Sequence, residues 1–172
     1  MSEPKEKQWI AVYTRARAER KVVAKLESIG IECYCPERQQ VRQWSDRKKI
    51  ISVPLIPSYV FVHLPLNLYA RVYESELVVK VVTFNTRVAV VRPSEIELLR
   101  LACGDGEATL TVTDITNSVG ERAEITDGVF AGYTGIVVGK RESSKVAIQI
   151  EELGLSVVVT VPTVQVRLKE AI

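Results

Sequence analysis

WIAVYTRARAERKVVAKLESIG, Trp9 to Gly30, passes directly from a strand pattern to a helix pattern. The opening WIAVYT is mostly aromatic or β-branched and predicts a first strand. The segment from Ala18 to Ile29 predicts a helix that ends at Gly30, because glycine favours the position just after a helix C-terminus. The helix carries an apolar stripe of three residues: Val22, Leu26 and Ile29. A strand followed at once by an amphipathic helix indicates the start of a βαβ unit.

Two prolines precede a second strand pattern in VPLIPSYVFVHL, Val53 to Leu64. The run from Tyr59 to Leu64 is β-branched and aromatic and predicts a largely buried strand. Proline fixes its own φ and pushes the preceding residue toward extended geometry, so an extended segment is expected ahead of the strand. In that segment Leu55 and Ile56 are expected to face outward, with Ile56 partly exposed.

The remaining patterns of the first half are a long hairpin, a short helix, two strands and a second helix. They are predicted at residues 37–53, 67–74, 77–84, 88–91 and 94–103, respectively. This order matches the split βαβ arrangement, a ferredoxin-like antiparallel sheet that carries helices. We therefore predict one α+β domain over residues 1–104.

The second half of the chain has short strand patterns and no helix pattern. The stretch GDGEATLTVTDITNS is rich in Thr, Asp and Gly, and residues 105–117 within it are predicted to be a linker. Five short strand patterns follow: ERAEIT, TGIVVGK, KVAIQI, LSVVVTV and TVQVRL. Such close spacing of short strands indicates a small β-barrel, predicted over residues 118–172.

The composition disfavours a membrane protein and a zinc protein. No apolar run approaches the roughly 20 residues that span a bilayer, and the start MSEPKEKQ lacks the hydrophobic core of a signal peptide. A cytoplasmic protein without a membrane partner is therefore expected. Cys33, Cys35 and Cys103 lack the second cysteine pair or histidine cluster that a zinc site needs, so buried free thiols are expected instead.

Catalysis finds little support in the sequence. His63 is the only histidine and lies inside a strand pattern, where a structural role is expected. The acidic residues have no HExxH, EF-hand or paired-carboxylate spacing, and neither of the phosphate-binding glycine motifs occurs. We therefore predict a non-enzymatic binding protein with no cofactor and no metal.

Positive charge is concentrated at the front of the chain. Residues 1–49 contain 12 Lys/Arg and 7 Asp/Glu, whereas residues 50–172 contain 11 and 14. The basic clusters in the first helix and at the hairpin tip would suit a phosphate backbone. The alternative, which charge alone favours, is two solvated faces. The candidate nucleic-acid-binding residues are Arg15, Arg17, Arg20, Lys21, Arg42, Arg47, Lys48 and Lys49.

Glycines punctuate the stretch GERAEITDGVFAGYTGIVVG, Gly120 to Gly139, in the second half. Phe130 and Tyr133 lie on its tight loop, and both are candidates for contact with a partner. The alternative for Phe130 is that it plugs one end of the barrel. Tyr133 has a polar tip and is the better candidate for an exposed contact.

Three segments, in order, resemble the NusG family of transcription elongation factors. WIAVYTRARAERKVVAKLES resembles the family's opening strand and basic helix, and VPLIPSYVFVHL resembles its Phe-Phe-Pro-Gly-Tyr-Val segment. GERAEITDGVFAGYTGIVV resembles its KOW motif. The resemblance covers nearly the whole chain and implies a NusG-type N-terminal domain followed by an SH3-like KOW barrel.

The resemblance also implies a set of partners. The N-terminal domain would dock on the clamp helices of RNA polymerase, with residues 68–73 touching the opposite jaw and the basic clusters near upstream or non-template DNA. The KOW domain would hold a ribosomal protein or a termination factor, and a monomer is expected. The implied polymerase-binding residues are Trp9, Tyr13, Leu55, Ile56, Tyr59 and Phe84.

Departures from the family pattern indicate a specialised paralog. Ser58 stands where the family usually has glycine, and Val129 stands where the housekeeping factor usually has proline. EELGLS, Glu151 to Ser156, lacks the aromatic-glycine-arginine tip that holds the KOW partners. The chain is more similar to the RfaH and UpxY types, the latter being antiterminators of surface polysaccharide operons. The alternatives are a housekeeping NusG and an RNA-binding or ribosome-associated KOW protein.

Overall fold

The computed structural model describes residues 6–104, 111–113, 120–140 and 143–170. Its internal contacts divide the chain into two compact units, Met1–Pro93 and Ser94–Ile172. This division differs from the predicted boundary at residue 104, because the second helix is grouped with the C-terminal strands.

The first unit is built on a five-stranded antiparallel sheet. Its strand order is β2-β5-β1-β6, and β9 pairs with β1 on the edge that β6 also uses. β3 and β4 form a separate long hairpin, and β7 and β8 form a short one. The elements are β1 (Lys7–Thr14), α1 (Glu19–Ser28), β2 (Glu32–Tyr34), β3 (Glu37–Gln43), β4 (Lys48–Pro54), β5 (Tyr59–Pro65), a 3₁₀ helix (Leu66–Glu74), β6 (Val78–Val81), β7 (Thr83–Phe84), β8 (Arg87–Val88) and β9 (Val90–Val91).

The core of the first unit lies between α1 and one face of this sheet. Ile10 and Val12 of β1 are fully buried there, together with Val22 and Leu26 of the predicted helix stripe. Ile29 is partly buried and packs against the same cluster. Because side chains alternate along a strand, the other residues of β1 lie on the opposite face of the sheet. That second face carries the candidate site.

The second unit contains a six-stranded antiparallel sheet in the order β10-β14-β13-β12-β11-β15. All five predicted strands are present. An additional strand, β10, lies within the predicted linker and pairs with β14, while the rest of that linker is outside the described residues. The elements are α2 (Pro93–Gly104), β10 (Thr111–Thr113), β11 (Arg122–Ile125), β12 (Thr134–Lys140), β13 (Ser143–Ile150), β14 (Leu155–Pro162) and β15 (Val166–Leu168), with short 3₁₀ helices at Glu151–Leu153 and Thr163–Gln165.

The predicted α+β fold class is confirmed by these two antiparallel sheets and their few helices. No helix in the described ranges is long and apolar enough to cross a membrane.

Candidate functional site

Aromatic rings line the sheet face that points away from the core of the first unit. The register of β1 and β5 sets Trp9 opposite His63 and Tyr13 opposite Tyr59. The rings of Trp9 and His63 stack with centroids 4.6 Å apart, and those of Tyr13 and Tyr59 meet edge to face at 5.5 Å. We call these four residues the aromatic face. Ring pairs of this kind hold each other in fixed positions, which lowers the entropic cost of binding a partner.

The aromatic face is most accessible at the end formed by Tyr13 and Tyr59, and His63, at the other end beside Trp9, is half-buried. Trp9 is 7% exposed, whereas Tyr13 is 37% exposed and Tyr59 is half-buried. Partial burial, followed by the neighbouring phenol of Tyr13, raises the pKa of Tyr59, so this hydroxyl remains a neutral hydrogen-bonding group. Phe84, at the end of β7, is 46% exposed. Tyr13, Tyr59 and Phe84 therefore offer contact surface, while the predicted contact residue Trp9 supports the face from within.

The prediction that Leu55 and Ile56 face outward is wrong. Leu55 is 7% exposed and Ile56 is 3% exposed. The Leu55 amide donates to the Pro36 carbonyl at 2.7 Å, and the Tyr59 amide donates to the Ile56 carbonyl at 3.3 Å, which closes a turn. The prolines restrict φ locally, but the bond from Leu55 to Pro36, 19 residues away, ties the turn to a distant segment. Leu55 and Ile56 are buried there and offer little surface to a partner.

Ser58 anchors this turn to the start of α1. Its φ is 65°, in the left-handed region where glycine is favoured. The Ser58 amide donates to Oε1 of the buried Glu19 at 2.7 Å, and its carbonyl accepts from the Thr14 amide at 2.8 Å. Ser58 therefore adopts, as a serine, the backbone conformation of the glycine that the NusG family usually has at this position. The role of Glu19 was not predicted, because nothing in its local pattern distinguishes it from a solvated helix residue.

Arg20 joins α1 to the base of the long hairpin. Its Nε donates to Glu37 Oε1 at 2.8 Å and its Nη2 donates to Glu37 Oε2 at 3.0 Å, while Ser52 Oγ donates to Oε2 at 2.7 Å. The hydrogen bonds from Arg20 lower the pKa of the Glu37 carboxyl against the opposing effect of burial. Arg20 is thus occupied by a carboxylate, which sets it apart from the other predicted nucleic-acid-binding residues. Arg15, Arg17 and Lys21 are exposed.

The tip of the hairpin carries four exposed cations. Within the described residues none of them forms a salt bridge; they are Arg42, Arg47, Lys48 and Lys49. The turn is closed by the Trp44 amide, which donates to the Arg47 carbonyl at 2.8 Å. Trp44 itself is 57% exposed and was not predicted as a site residue.

In the second unit, the loop that leads into β12 separates the roles of Phe130 and Tyr133. Phe130 is 2% exposed, so its ring is buried, as the alternative that it plugs one end of the barrel requires, and it offers little surface to a partner. Tyr133 is half-buried, and its hydroxyl donates to the Ser94 carbonyl at 3.0 Å. Partial burial, and then the charge of Glu97, raises the pKa of Tyr133.

Neither metal-binding clusters nor disulfides are found in the part of the chain that the structure describes. No group of three or more His, Cys, Asp or Glu side chains could hold a metal ion there. None of the three cysteines, all of which the structure describes, forms a disulfide, and each is half-buried. Desolvation by burial, with the nearby Glu27 and Glu32 carboxylates, raises the pKa of the Cys33 thiol to about 12, so this thiol is a poor nucleophile at neutral pH.

The sequence profile described as "Transcription termination factor nusG" matches residues 7–100, which include the whole aromatic face and the long hairpin. The chain belongs to the NusG family. NusG-family proteins are non-enzymatic transcription factors, which gives this chain a role in transcription elongation. A search of the curated proteins found no match.

One solved structure supports the fold of this NusG-family chain. A structure of Thermotoga maritima NusG is 23% identical, covers 96% of this chain and 98% of its own, and superposes with a TM-score of 0.57. Conformations A and B of the MjSpt4:Spt5 complex are 15% and 16% identical over 94% and 93% of this chain, and 97% and 95% of theirs. Their TM-scores of 0.31 are too low to bear on the fold.

Proposed function

We propose that the first unit binds the clamp helices of RNA polymerase through the accessible end of the aromatic face. The observation that carries this proposal is the edge-to-face pair of Tyr13 and Tyr59 on a rigid sheet, with Tyr13 37% exposed. Exposed aromatic rings held in place by their neighbours are typical anchors of protein interfaces. Phe84 extends the contact, and the exposed residues of the 3₁₀ helix from Leu68 to Tyr73 reach toward the opposite jaw.

Binding across the cleft would act as an antitermination mechanism. A ligand shifts a conformational equilibrium toward the state that it binds more tightly. A factor that prefers the closed clamp therefore lowers the population of paused or terminating polymerase. We propose that the chain is a specialised paralog of the RfaH or UpxY type, acting in the cytoplasm as a monomer, with surface polysaccharide operons as its targets.

The basic residues would contact upstream or non-template DNA beside the docked unit. Arg15, Arg17 and Lys21 are exposed near the start of α1, and the hairpin tip supplies the other cations. Removing a phosphate contact reduces the dependence of DNA affinity on salt concentration, and the reduction is the same for every base sequence. In the second unit, Tyr133 is the proposed contact for a ribosomal protein or a termination factor.

Transcription on candidate leader templates, with and without the full chain, tests this function. We expect the protein to shorten the pauses of the polymerase and to reduce the amount of terminated transcript. The double variant Tyr13→Ala, Phe84→Ala should leave pausing and termination at the level seen without the protein. Copurification with ribosomal subunits and without polymerase would contradict the proposal and support a ribosome-associated role.

A further inference from the structure

The long hairpin has two chemically different faces. Its register sets Arg42 opposite Lys49 and Val41 opposite Ile50, and the two-residue turn Ser45–Asp46 leaves Trp44 opposite Arg47. Residues that face each other across the strands lie on the same side of a hairpin, and the side alternates at each step. One side of the tip therefore groups four residues, which we call the Trp44 face: Arg42, Trp44, Arg47 and Lys49.

The Trp44 face is open and carries uncompensated positive charge. Trp44 is 57% exposed, a large indole surface for a residue whose usual position is at least partly buried. Residues 42–49 contain four cations and a single anion, Asp46, which gives the tip a net charge of +3. A flat aromatic ring among cations has the composition of a platform for single-stranded nucleic acid.

We propose that the Trp44 face binds an unpaired DNA strand, with one base stacked on the indole of Trp44 and the flanking phosphates on Arg42, Arg47 and Lys49. Only an unpaired strand can supply this contact, since the faces of bases inside a duplex are already stacked on their neighbours. The proposal rests on one part of the proposed function, the contact of the hairpin cations with DNA. It adds that the hairpin distinguishes single-stranded DNA from duplex DNA.

Fluorescence anisotropy of the full chain with labelled dT12 and with a 12-base-pair duplex tests this proposal. Trp44→Ala should weaken binding to dT12 by about 5- to 160-fold, which corresponds to the loss of one base stack of about 1 to 3 kcal/mol. Binding to the duplex should change less than about twofold. The slope of affinity against salt should stay constant, because no charge is removed. Trp44→Phe keeps an aromatic ring and should restore most of the affinity for dT12.

Ile50→Ala is the matched control, because Ile50 is 64% exposed on the opposite side of the same hairpin. It should bind both probes like the wild type. The proposal is overturned if Trp44→Ala binds dT12 normally, or if it loses both probes equally, since the indole would then only stabilise the hairpin. Tighter binding of the wild type to rU12 than to dT12 would reassign the face to RNA and overturn the DNA assignment.

A variant with Arg42, Arg47, Lys48 and Lys49 changed to alanine separates this proposal from the proposed function. If that variant loses both probes while Trp44→Ala loses neither, the phosphate contacts stand and the stacking contact falls. If the wild type binds neither probe, both the stacking contact and the DNA role of the hairpin fall.

Discussion

Ile56 and Ile50 have the same side chain in opposite environments, 3% and 64% exposed. An aspartate at position 56 would bury a carboxylate without a partner, and we expect Ile56→Asp to lower the free energy of unfolding by at least about 3 kcal/mol. Ile50→Asp should change it by less than about 0.5 kcal/mol. Urea unfolding followed by tryptophan fluorescence measures both, because both tryptophans lie in the first unit.

A near-normal unfolding midpoint for Ile56→Asp would contradict the burial of this residue. Ile56 would then be partly exposed, as the sequence pattern predicts.

Ser58 is held at a positive φ by the hydrogen bonds of its backbone, and neither bond uses its side chain. A left-handed conformation costs a non-glycine residue about 1 kcal/mol. Ser58→Gly should therefore raise the free energy of unfolding by about 0.5 to 1 kcal/mol in the same urea experiment. Ser58→Ala keeps the strain and serves as the control, with no gain expected. A loss of stability in Ser58→Gly would show that the turn needs the serine side chain.

At the scale of elements, the ion pair of Arg20 and Glu37 couples α1 to the long hairpin. The folded pKa of Glu37 lies below its ordinary value of 4.5, so the pair stabilises the fold above that value and its contribution is lost as pH falls through the folded pKa. We expect Glu37→Gln to be less stable than wild type at about pH 7, and the difference to shrink toward about pH 3. Thermal unfolding at several pH values measures it.

Arg42→Gln, on the same hairpin, removes a cation that has no salt bridge in the described structure and should show no such pH dependence. A stability difference for Glu37→Gln that stays constant down to about pH 3 would contradict the coupling.

The order of the elements could be predicted from the sequence because it depends on local periodicity. The stripe of α1, the strand β5 and the hairpin β3–β4 were all predicted within a few residues of their observed bounds. The inward direction of Leu55 and Ile56 could not be predicted from the sequence, because it depends on a hydrogen bond to Pro36, which is distant along the chain. The pairing of Arg20 with Glu37 was missed for the same reason.

The exposure of the candidate site residues could also be predicted only in part from the sequence. The resemblance to NusG identified Tyr13, Tyr59 and Phe84, which the structure leaves accessible, but also Trp9, Leu55 and Ile56, which it buries. A family motif fixes the position of a residue in the sheet, whereas exposure depends on everything packed around it. Trp44 could be recognised as a site residue only from the register of the hairpin, which brings it onto the same side as three cations.

At the scale of the whole molecule, the proposed contacts are divided between the two units. The aromatic face and the Trp44 face lie in Met1–Pro93, and Tyr133 lies in Ser94–Ile172. Polymerase binding should therefore depend on the first unit and be insensitive to changes on the loop of Tyr133. Tyr133→Phe removes only the hydroxyl and should bind polymerase like the wild type in a pull-down. A large loss of binding by this variant would contradict the division.

Affinity for a clamp-helix fragment of RNA polymerase tests the central claim most directly, with the full chain and its Tyr13→Ala variant compared by titration calorimetry. Loss of an interface anchor typically costs about 2 kcal/mol, so we expect Tyr13→Ala to bind roughly 30-fold more weakly with an unchanged melting temperature. Trp44→Ala is the control, an exposed aromatic residue outside the aromatic face, and should bind normally. Wild-type affinity in a folded Tyr13→Ala variant would contradict docking through the aromatic face.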